Sequence, residues 1–314
     1  MSTATRLVLR APAKLNLGLE VVGRRADGHH ELRSILCSID LADEVALRPA
    51  GEGGPLVVTG PYAADAGDAE SNLALRALRA LEAALGADLG LAVEVVKNIP
   101  ARAGLGGGSA DAAAVLRAVP GLGRGEPLLG LAAALGADVP FQVVGGLADV
   151  GGVGERLRRL PHLELWFAVA FAGDACSTAE VFGELRPDEW SDGAAVAAAA
   201  DLLAAQPPAG EPVAAGALPA PDLRAALAGL PNALWHPASR LNPNLLDRLS
   251  ALLALGWPSP RLTGSGGAFF TLTAGQEEAG RLAAAAAAAG FAAWACRSLP
   301  SGAPEDPDPR GGES

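Results

Sequence analysis

The stretch Pro100-Ala-Arg-Ala-Gly104-Leu-Gly106-Gly107-Gly108-Ser109-Ala-Asp111 joins a β-rich segment at 91–96 to a helical pattern at 110–119. Glycines adopt positive φ and let a backbone approach an oxyanion closely. Free N–H groups at a helix start also attract phosphate. The order strand, glycines, helix therefore predicts a phosphate-binding loop, with Ser109 as the N-cap. The alternative is an ordinary glycine-rich turn before a capped helix.

This loop differs from two common phosphate loops. No lysine follows its last glycine, which excludes a Walker A sequence, and Ser109 stands where a dinucleotide fingerprint has its third glycine. Two further glycine clusters accompany it. Residues 262–267, LTGSGG, precede a predicted strand at 268–273 and would bring more backbone donors to the same phosphates, or else form a tight turn. Residues 151–155, GGVGE, are interpreted as structural.

Two charged side chains are candidates for chemistry. Lys14 and Asn16 are two apart, so they share one face of a predicted strand. A lysine inside an apolar strand needs a partner, unless it snorkels from an edge. Asp138 lies between a predicted helix at 128–135 and a predicted strand at 141–144. It is either a turn or capping residue, or the acceptor of a substrate hydroxyl proton, for which a nearby ammonium favours the charged carboxylate.

Composition narrows the class of protein. The chain has 314 residues, is 50% hydrophobic and 19% charged, and carries a net charge of −11, which excludes global disorder and argues against nonspecific nucleic-acid or anionic-membrane binding. Cys37, Cys176 and Cys296 form no CxxC pair, so neither a disulfide framework nor a zinc site is predicted. A cytoplasmic location and the absence of a signal peptide at 1–12 are expected.

The length favours two domains. We expect an N-terminal domain at 1–160 with the phosphate loop and catalytic residues, a C-terminal domain at 161–300, and a disordered Pro/Gly/Asp/Glu-rich tail at 301–314. The Pro-rich stretch 206–221 is predicted to be a surface loop or insertion. Strands and helices mix without regular βαβ alternation, which predicts an α+β fold.

Several motifs carry a family resemblance. In this order PAKLNL, PARAGLGGGSADAA and LTGSGG resemble the three motifs of the GHMP kinase superfamily. GRRADGHHEL at 23–32, GADVP at 136–140 and GVGE at 152–155 are similar to motifs of its 4-diphosphocytidyl-2-C-methyl-D-erythritol kinase family. The resemblance spans about residues 6–299. It implies a two-domain GHMP architecture, with an N-terminal domain like domain 2 of ribosomal protein S5, a ferredoxin-like C-terminal domain and the active site between them.

The resemblance also implies a reaction. ATP, with Mg²⁺, would phosphorylate the 2-hydroxyl of 4-diphosphocytidyl-2-C-methyl-D-erythritol in the non-mevalonate isoprenoid pathway. Its only partner would be this small-molecule substrate, with no nucleic acid and no membrane, in a monomer or weak homodimer. No residue is assigned as a metal ligand. The rival interpretations are another GHMP kinase acting on homoserine or mevalonate, and a nucleotide-binding protein without catalysis.

Residue roles follow from the matched motifs. Asp138 would be the catalytic base and Lys14 its activating partner. The nucleotide would contact Pro100, Gly104, Leu105, Gly106, Gly107, Gly108 and Ser109 through its phosphates, and Asn72 and Lys97 near the adenosine. The acceptor substrate would contact Asn16, His29, His30, Thr178 and Phe182.

Two positions depart from the family pattern. His29 stands where the family usually has a tyrosine that forms one wall of the cytosine site, with Phe182 as the other wall. An imidazole can still stack there, or His29 is simply an exposed turn residue. Asn232-Ala233-Leu234 replaces an Asn-Asp-Leu sequence, which predicts the loss of a structural carboxylate.

Overall fold

The computed structural model describes residues 6–51, 54–119, 125–173, 176–206 and 221–302. The predicted tail at 301–314 and the Pro-rich stretch at 206–221 therefore lie largely outside the described residues. Within them, two β-sheets and ten α-helices form a mixed α+β fold. The longest of these helices have 13 residues, and none in the described part of the chain meets the length and hydropathy needed to cross a membrane.

The first sheet is organised around one long strand. It contains β1 (Leu7–Arg24), β2 (His30–Pro49), β3 (Leu56–Thr59), β4 (Leu91–Val96), β5 (Leu147–Gly152) and β6 (Arg156–Leu160). The order is β3-β4-β2-β5-β6, with β1 paired to β2. Residues 32–37 of β2 pair with β5 and residues 44–49 pair with β4. A single strand therefore connects the two halves of the sheet.

The sequence predicts two short strands, at 7–9 and 16–22, where the structure has the continuous strand β1. Register shifts interrupt β1 between Pro12 and Lys14, between Asn16 and Gly18, and between Val21 and Gly23. Such bulges break the alternation of apolar and polar residues from which a strand is predicted. The prediction of two strands was therefore wrong in extent.

Four helices stand against this sheet: α1 (Leu73–Leu85), α2 (Gly107–Ala118), α3 (Glu126–Leu135) and α4 (Val139–Val144). Asn72 caps α1 by accepting hydrogen bonds from Ala74 N and Leu75 N, and Gly86 ends it in a left-handed conformation. Leu75 and Leu78 of α1 pack in one buried cluster with Val93 of β4 and Val115 of α2. Burial of this shared apolar surface holds the helices on the sheet.

The predicted strand at 141–144 is wrong, because these residues form α4. Pro140 stands in the first helical turn, where a fixed φ and a missing N–H are tolerated. Gln142 N donates to Asp138 O at 3.1 Å, and Gly145 N donates to Phe141 O at 2.7 Å. In a short run that is buried on most sides nearly every residue is apolar. The spacing of apolar and polar residues therefore does not distinguish a helix from a strand.

The second sheet contains β7 (Trp166–Phe171), β8 (Arg261–Leu262), β9 (Ala268–Thr273) and β10 (Ala292–Arg297), in the antiparallel order β10-β7-β9-β8. Its helices are α5 (Thr178–Gly183), α6 (Ala194–Ala204), α7 (Pro221–Ala228), α8 (Trp235–Leu241), α9 (Asn244–Ala254) and α10 (Gln276–Ala288). Short 3₁₀ turns occur at Ala63–Asp65 and Pro187–Glu189.

The two sheets share a hydrophobic core. Leu15 and Leu17 of β1 belong to the same buried cluster as Phe167 of β7 and Phe270 of β9. Backbone bridges join Leu19 to Asn232 and Ile39 to Ser298. We propose that the domain boundary lies at residues 160–161, between β6 and β7, where one sheet ends and the other begins.

Candidate active site

A cavity of about 530 Å³ opens where β1, the glycine-rich loop at 100–106, the LTGSGG cluster and α5 meet. Its volume falls in the range of small-molecule sites. The lining includes most of the predicted site residues: Lys14, Asn16, Asn72, Lys97, Pro100, Gly104, Gly106, Gly107, Gly108, Ser109, Asp138, Thr178 and Phe182. The fold thus gathers into one cavity side chains that are distant in sequence.

The glycine-rich loop places the start of α2 at this cavity. Gly106 is the N-cap, in a left-handed conformation with φ of +71°, and α2 begins at Gly107. The predicted N-cap at Ser109 is therefore wrong, because the glycine turns the chain three residues earlier and Ser109 lies within the first turn. Ala110 N is the first to bond back to Gly106 O, at 2.9 Å. The preceding N–H groups of α2 are left for a ligand.

The LTGSGG cluster packs directly on this loop. A side chain on Gly266 would collide with the backbone of Ala103 and Gly104, and one on Gly104 would collide with Thr263 O. Ala268 N donates to Ala103 O at 3.0 Å. The two glycine clusters therefore meet backbone to backbone, an approach that only residues without a Cβ permit.

Lys14 is buried, with 4% of its surface exposed, and its ammonium lies between two partners. Nζ donates to Asn16 Oδ1 at 2.5 Å and lies 3.5 Å from Asp138 Oδ2. Lys14 N also donates to Leu105 O at 2.9 Å, which ties β1 to the glycine-rich loop. Lys14 is thus no snorkelling edge lysine.

Asp138 occupies the N-cap position of α4, yet its side chain makes no capping hydrogen bond. The carboxylate is 38% exposed and lines the cavity. Among the described residues its one ion pair is with Lys14. A carboxylate that is not used for capping and is accessible from the cavity can accept a proton from a bound hydroxyl.

Hydrogen bonds to both its backbone and its side chain fix the position of Asn16. Its Nδ2 donates to Ser34 Oγ at 3.0 Å, Ser34 Oγ donates to Gly18 O at 2.7 Å, and Asn16 N donates to Thr263 Oγ1 at 3.0 Å. Sequence reasoning missed Ser34, because a single hydroxyl residue in a strand carries no distinctive pattern, and it included Thr263 in the LTGSGG cluster without predicting its bond to Asn16. Together these bonds fix the amide that accepts from Lys14.

Lys97 belongs to a buried ion triad beneath the start of α2. Its Nζ bonds to Asp43 Oδ2 and lies 2.8 Å from Asp111 Oδ2. Burial alone would lower the pKa of Lys97, but the two carboxylates outweigh burial and raise it. Burial raises the pKa of Asp111 to about 7, against the opposing charge of Lys97. Neither aspartate was predicted, because only the tertiary fold places them beside the lysine.

Next to Phe182, aromatic rings collect around His30, which itself lies outside the residues that line the cavity. Its ring stacks on Phe182 with centroids 5.3 Å apart, and Trp190 meets it edge-on at 6.4 Å. Burial, and then the charge of Arg24, lower the pKa of His30. Thr178 Oγ1 lies 2.8 Å from Ser265 Oγ. Thr178 and Phe182 both line the cavity from α5.

His29, like His30, lies outside the residues that line the cavity, and its side chain is 70% exposed. Its N donates to Asp27 Oδ1 at 3.0 Å and its Nδ1 lies 3.4 Å from the same oxygen. This position matches the alternative that His29 is an exposed turn residue, and its stacking on a base stays a prediction.

Asn232 ties the LTGSGG cluster to β1. Its Nδ2 donates to Leu262 O and to Gly264 O, each at 2.9 Å, and its Oδ1 accepts from Leu234 N at 3.0 Å. Sequence reasoning considered only the carboxylate that Ala233 lacks. In the structure it is the side-chain amide of the neighbouring Asn232 that holds the LTGSGG cluster.

Comparison with known proteins agrees with this geometry. Residues 72–151 match the family model described as the GHMP kinases N terminal domain. The 4-diphosphocytidyl-2-C-methyl-D-erythritol kinase of Parvibaculum lavamentivorans is 42% identical over 275 residues, 86% of this chain and 89% of the relative. The kinase of the same name from Thermus thermophilus is 38% identical over 288 residues, 91% of this chain and 94% of the relative.

Solved kinase structures are also similar to this chain. A crystal structure of 4-(cytidine 5'-diphospho)-2C-methyl-D-erythritol kinase aligns with a TM-score of 0.71 and 37% identity, covering 93% of this chain and 98% of the other. Homoserine kinase from Cytophaga hutchinsonii aligns with a TM-score of 0.67 at 19% identity, covering 96% of both chains. The second likeness shows a shared fold alone.

Proposed function

The chain belongs to the 4-diphosphocytidyl-2-C-methyl-D-erythritol kinase family of GHMP kinases, and on this premise we propose how its residues carry out the reaction. It is an ATP-dependent kinase that phosphorylates the 2-hydroxyl of 4-diphosphocytidyl-2-C-methyl-D-erythritol, a step toward isoprenoid precursors. The 3.5 Å approach of Lys14 Nζ to Asp138 Oδ2 beside the glycine-rich loop supports the assignment of roles most directly.

Asp138 is the general base. Its exposed carboxylate accepts the proton of the substrate hydroxyl as the oxygen attacks the γ-phosphorus of ATP. A bond forms between the substrate oxygen and the γ-phosphorus, and the bond from the γ-phosphorus to the bridging oxygen breaks. ADP leaves with the electron pair of the broken bond. Phosphoryl transfer depends mainly on positioning and charge neutralisation, so one well-placed base suffices.

Lys14 supports the base and the nucleophile. Its ammonium attracts the negative charge of Asp138 and of the hydroxyl oxygen as the proton departs. Asn16 Oδ1 accepts a hydrogen bond from this ammonium and so holds Nζ in place. Because Lys14 is buried, its charge acts in a medium that screens it less than water does.

The triphosphate binds at the start of α2. The free N–H groups after Gly106 and the positive end of the helix dipole favour the anionic oxygens. Asn72 and Lys97 also line the cavity, and we propose that they contact the nucleotide near the adenosine. The Lys97 triad anchors α2 near its start through Asp111, which keeps these donors oriented.

The cavity also fits a Mg²⁺ ion that arrives with the nucleotide. Asp111 Oδ1 is buried and has no hydrogen-bond partner among the described residues, and both Asp111 and Ser109 line the cavity. Mg²⁺ uses one or two carboxylate oxygens together with substrate phosphates rather than a cage of protein ligands. Asp111 and the Ser109 hydroxyl would hold it, and it would supply charge neutralisation for the phosphates.

The cytidine end of the acceptor lies at α5. Phe182 and His30 offer flat rings for a base, and stacking on aromatic side chains is a general mode of base binding. The Thr178 hydroxyl stands beside Ser265, within reach of the same part of the cavity. Asn16 and His30 complete the proposed acceptor contacts, and stacking of His29 on the base stays a prediction.

The enzyme works in the cytoplasm as a monomer or weak homodimer, with no nucleic-acid or membrane partner. Cys37 and Cys296 are buried and form no disulfide in the described part of the chain, which supports a reducing compartment. The net charge of −11 supports the absence of polyanionic partners. Sedimentation of the purified protein at several concentrations measures the oligomeric state.

ADP release from MgATP tests the reaction, with 4-diphosphocytidyl-2-C-methyl-D-erythritol, homoserine and mevalonate offered in parallel. We expect turnover with the first acceptor alone. Turnover with homoserine or mevalonate instead would overturn the cytidine pocket while leaving the roles of Lys14 and Asp138 intact. ATP binding without turnover of any acceptor would favour a protein that only senses the nucleotide.

A further inference from the structure

Arg102 stands in the glycine-rich loop, between Pro100 and Gly104, and has no part in the chemistry of Lys14 and Asp138. It lines the cavity and is exposed. Its backbone has φ of +54°, a left-handed conformation that only Arg102 and Ser259 adopt among the described non-glycine residues. Residues with a Cβ rarely occupy this region, and such strain concentrates at ligand sites.

The charges that line the cavity make Arg102 distinctive. The lining contains three cations, Lys14, Lys97 and Arg102, and three carboxylates, those of Asp65, Asp111 and Asp138. Lys14 is already paired with Asp138, and Lys97 with Asp43 and Asp111. Arg102 makes no ion pair with any residue in the described part of the chain. Arg102 is therefore the one cation of the lining that has no carboxylate within ion-pair distance among the described residues.

The expected ligand carries a large negative charge. Without Arg102, the charged side chains that line the cavity are two cations and three carboxylates, a net charge of −1, whereas a triphosphate and a diphosphate both have to be bound. Backbone N–H groups at α2 supply partial charges only. A guanidinium is always charged and matches phosphate oxygens with paired donors, so it is the side chain best suited to supply the missing charge.

We propose that Arg102 is a nucleotide-binding residue whose guanidinium contacts the phosphates of ATP at the mouth of the cavity. This rests on the proposed function and deepens it, since it assigns a further contact in the same site. Its position favours the ATP phosphates over the diphosphate of the acceptor, because it lies in the loop that leads into α2, whereas Thr178 and Phe182 lie on α5.

Binding measurements with purified full-length protein test this without depending on turnover. R102Q removes the charge and keeps a side chain of comparable polarity. We expect its Kd for MgATP to rise about tenfold, the effect of one charge-assisted contact, while its Kd for adenosine stays unchanged. The salt dependence of ATP binding should also become weaker.

Two further variants separate the lost charge from a change in the shape of the loop. R102G removes the same charge but lets the backbone adopt its left-handed conformation without strain, so we expect weakened ATP binding with an equal or higher Tm. R281Q makes the same charge change on α10, outside the cavity, and should leave both affinities unchanged.

The proposal fails if R102Q binds MgATP as tightly as the unmodified protein. It also fails if adenosine affinity falls equally, which would indicate a distorted loop, or if R281Q loses as much ATP affinity. A rise in the KM of the acceptor alone would move the contact to the other substrate and equally overturn it. Loss of turnover in the unmodified protein would contradict the proposed function and leave these affinities measurable.

Discussion

Lys14 Nζ and Asp138 Oδ2 lie 3.5 Å apart, one group on strand β1 and the other at the N-cap of the short helix α4. Neither element alone creates a proton acceptor. Their approach depends on the shared position of β1 and α4 at the cavity, and in the proposed mechanism the contact divides the roles of charge and proton transfer between two side chains.

Asp138→Asn should lower kcat about a thousandfold, because the amide cannot take the hydroxyl proton. The Kd for MgATP should change little, since the phosphates bind at α2. Steady-state ADP release and equilibrium binding check the two parts. Asp247→Asn, on the exposed surface of α9, is the matched control and should keep full activity. Near-normal turnover of the Asp138 variant would remove the assignment of the base.

Lys14→Met should also lower kcat, by about a hundredfold or more, because it removes the charge beside Asp138 but keeps an apolar stem of similar length. It also leaves Asn16 Oδ1 without its donor. The rate of a single turnover at saturating ATP measures the effect on chemistry. A change in KM with unchanged kcat would instead indicate a role in binding only.

Gly266→Ala should destabilise the protein and impair ATP binding, because the added methyl group collides with the backbone of Ala103 and Gly104. The expected loss of stability is about 1–3 kcal/mol, the usual cost of overpacking. Urea denaturation of the variant measures it.

Gly280→Ala is the control for this substitution. Gly280 lies inside α10 with open space around it, so alanine there should raise the free energy of unfolding by about 0.5–1 kcal/mol. Equal stability of the two variants would contradict the backbone contact between the glycine clusters.

Glu189→Gln should reveal a contribution to stability that depends on pH. Hydrogen bonds from Arg240, at 2.6 and 2.9 Å, lower the pKa of Glu189 to about 2. A lowered pKa adds stability above the ordinary value near 4.5, and this stability is lost as the pH falls from there toward 2.

At neutral pH the free energy of unfolding of the variant should be lower by about 1–2 kcal/mol. This is less than the pKa shift alone implies, because Arg240 is partly exposed and solvent screens the ion pair. Urea midpoints between pH 3 and 7 should converge on the acid side. Glu44→Gln, an exposed position on β2, should show no such convergence. A difference that stays constant across this range would mean that the ion pair does not supply the effect.

Much of the site is predictable because its motifs are contiguous. The glycine-rich loop, Lys14 with Asn16, and Asp138 are local patterns, each with a chemical reason that can be stated from the sequence. The α+β class follows from the mixture of elements, and the family resemblance is confirmed by relatives that cover most of the chain.

The parts that escaped prediction depend on tertiary contacts. The helix α4 was predicted as a strand because a short buried apolar run has no period. Asp43 and Asp111 became visible only when the fold placed them around Lys97. Ser109 was predicted one helical turn too late as a cap, since a left-handed glycine begins the helix as well as a side-chain oxygen does.

The backbone contact between the two glycine clusters has a consequence for protein synthesis. Residues 100–106 leave the ribosome well before residues 262–267, against which they pack. A nascent chain that has completed only the first sheet lacks the surface that supports its phosphate loop. Nucleotide affinity should therefore arise late, when β9 joins the second sheet.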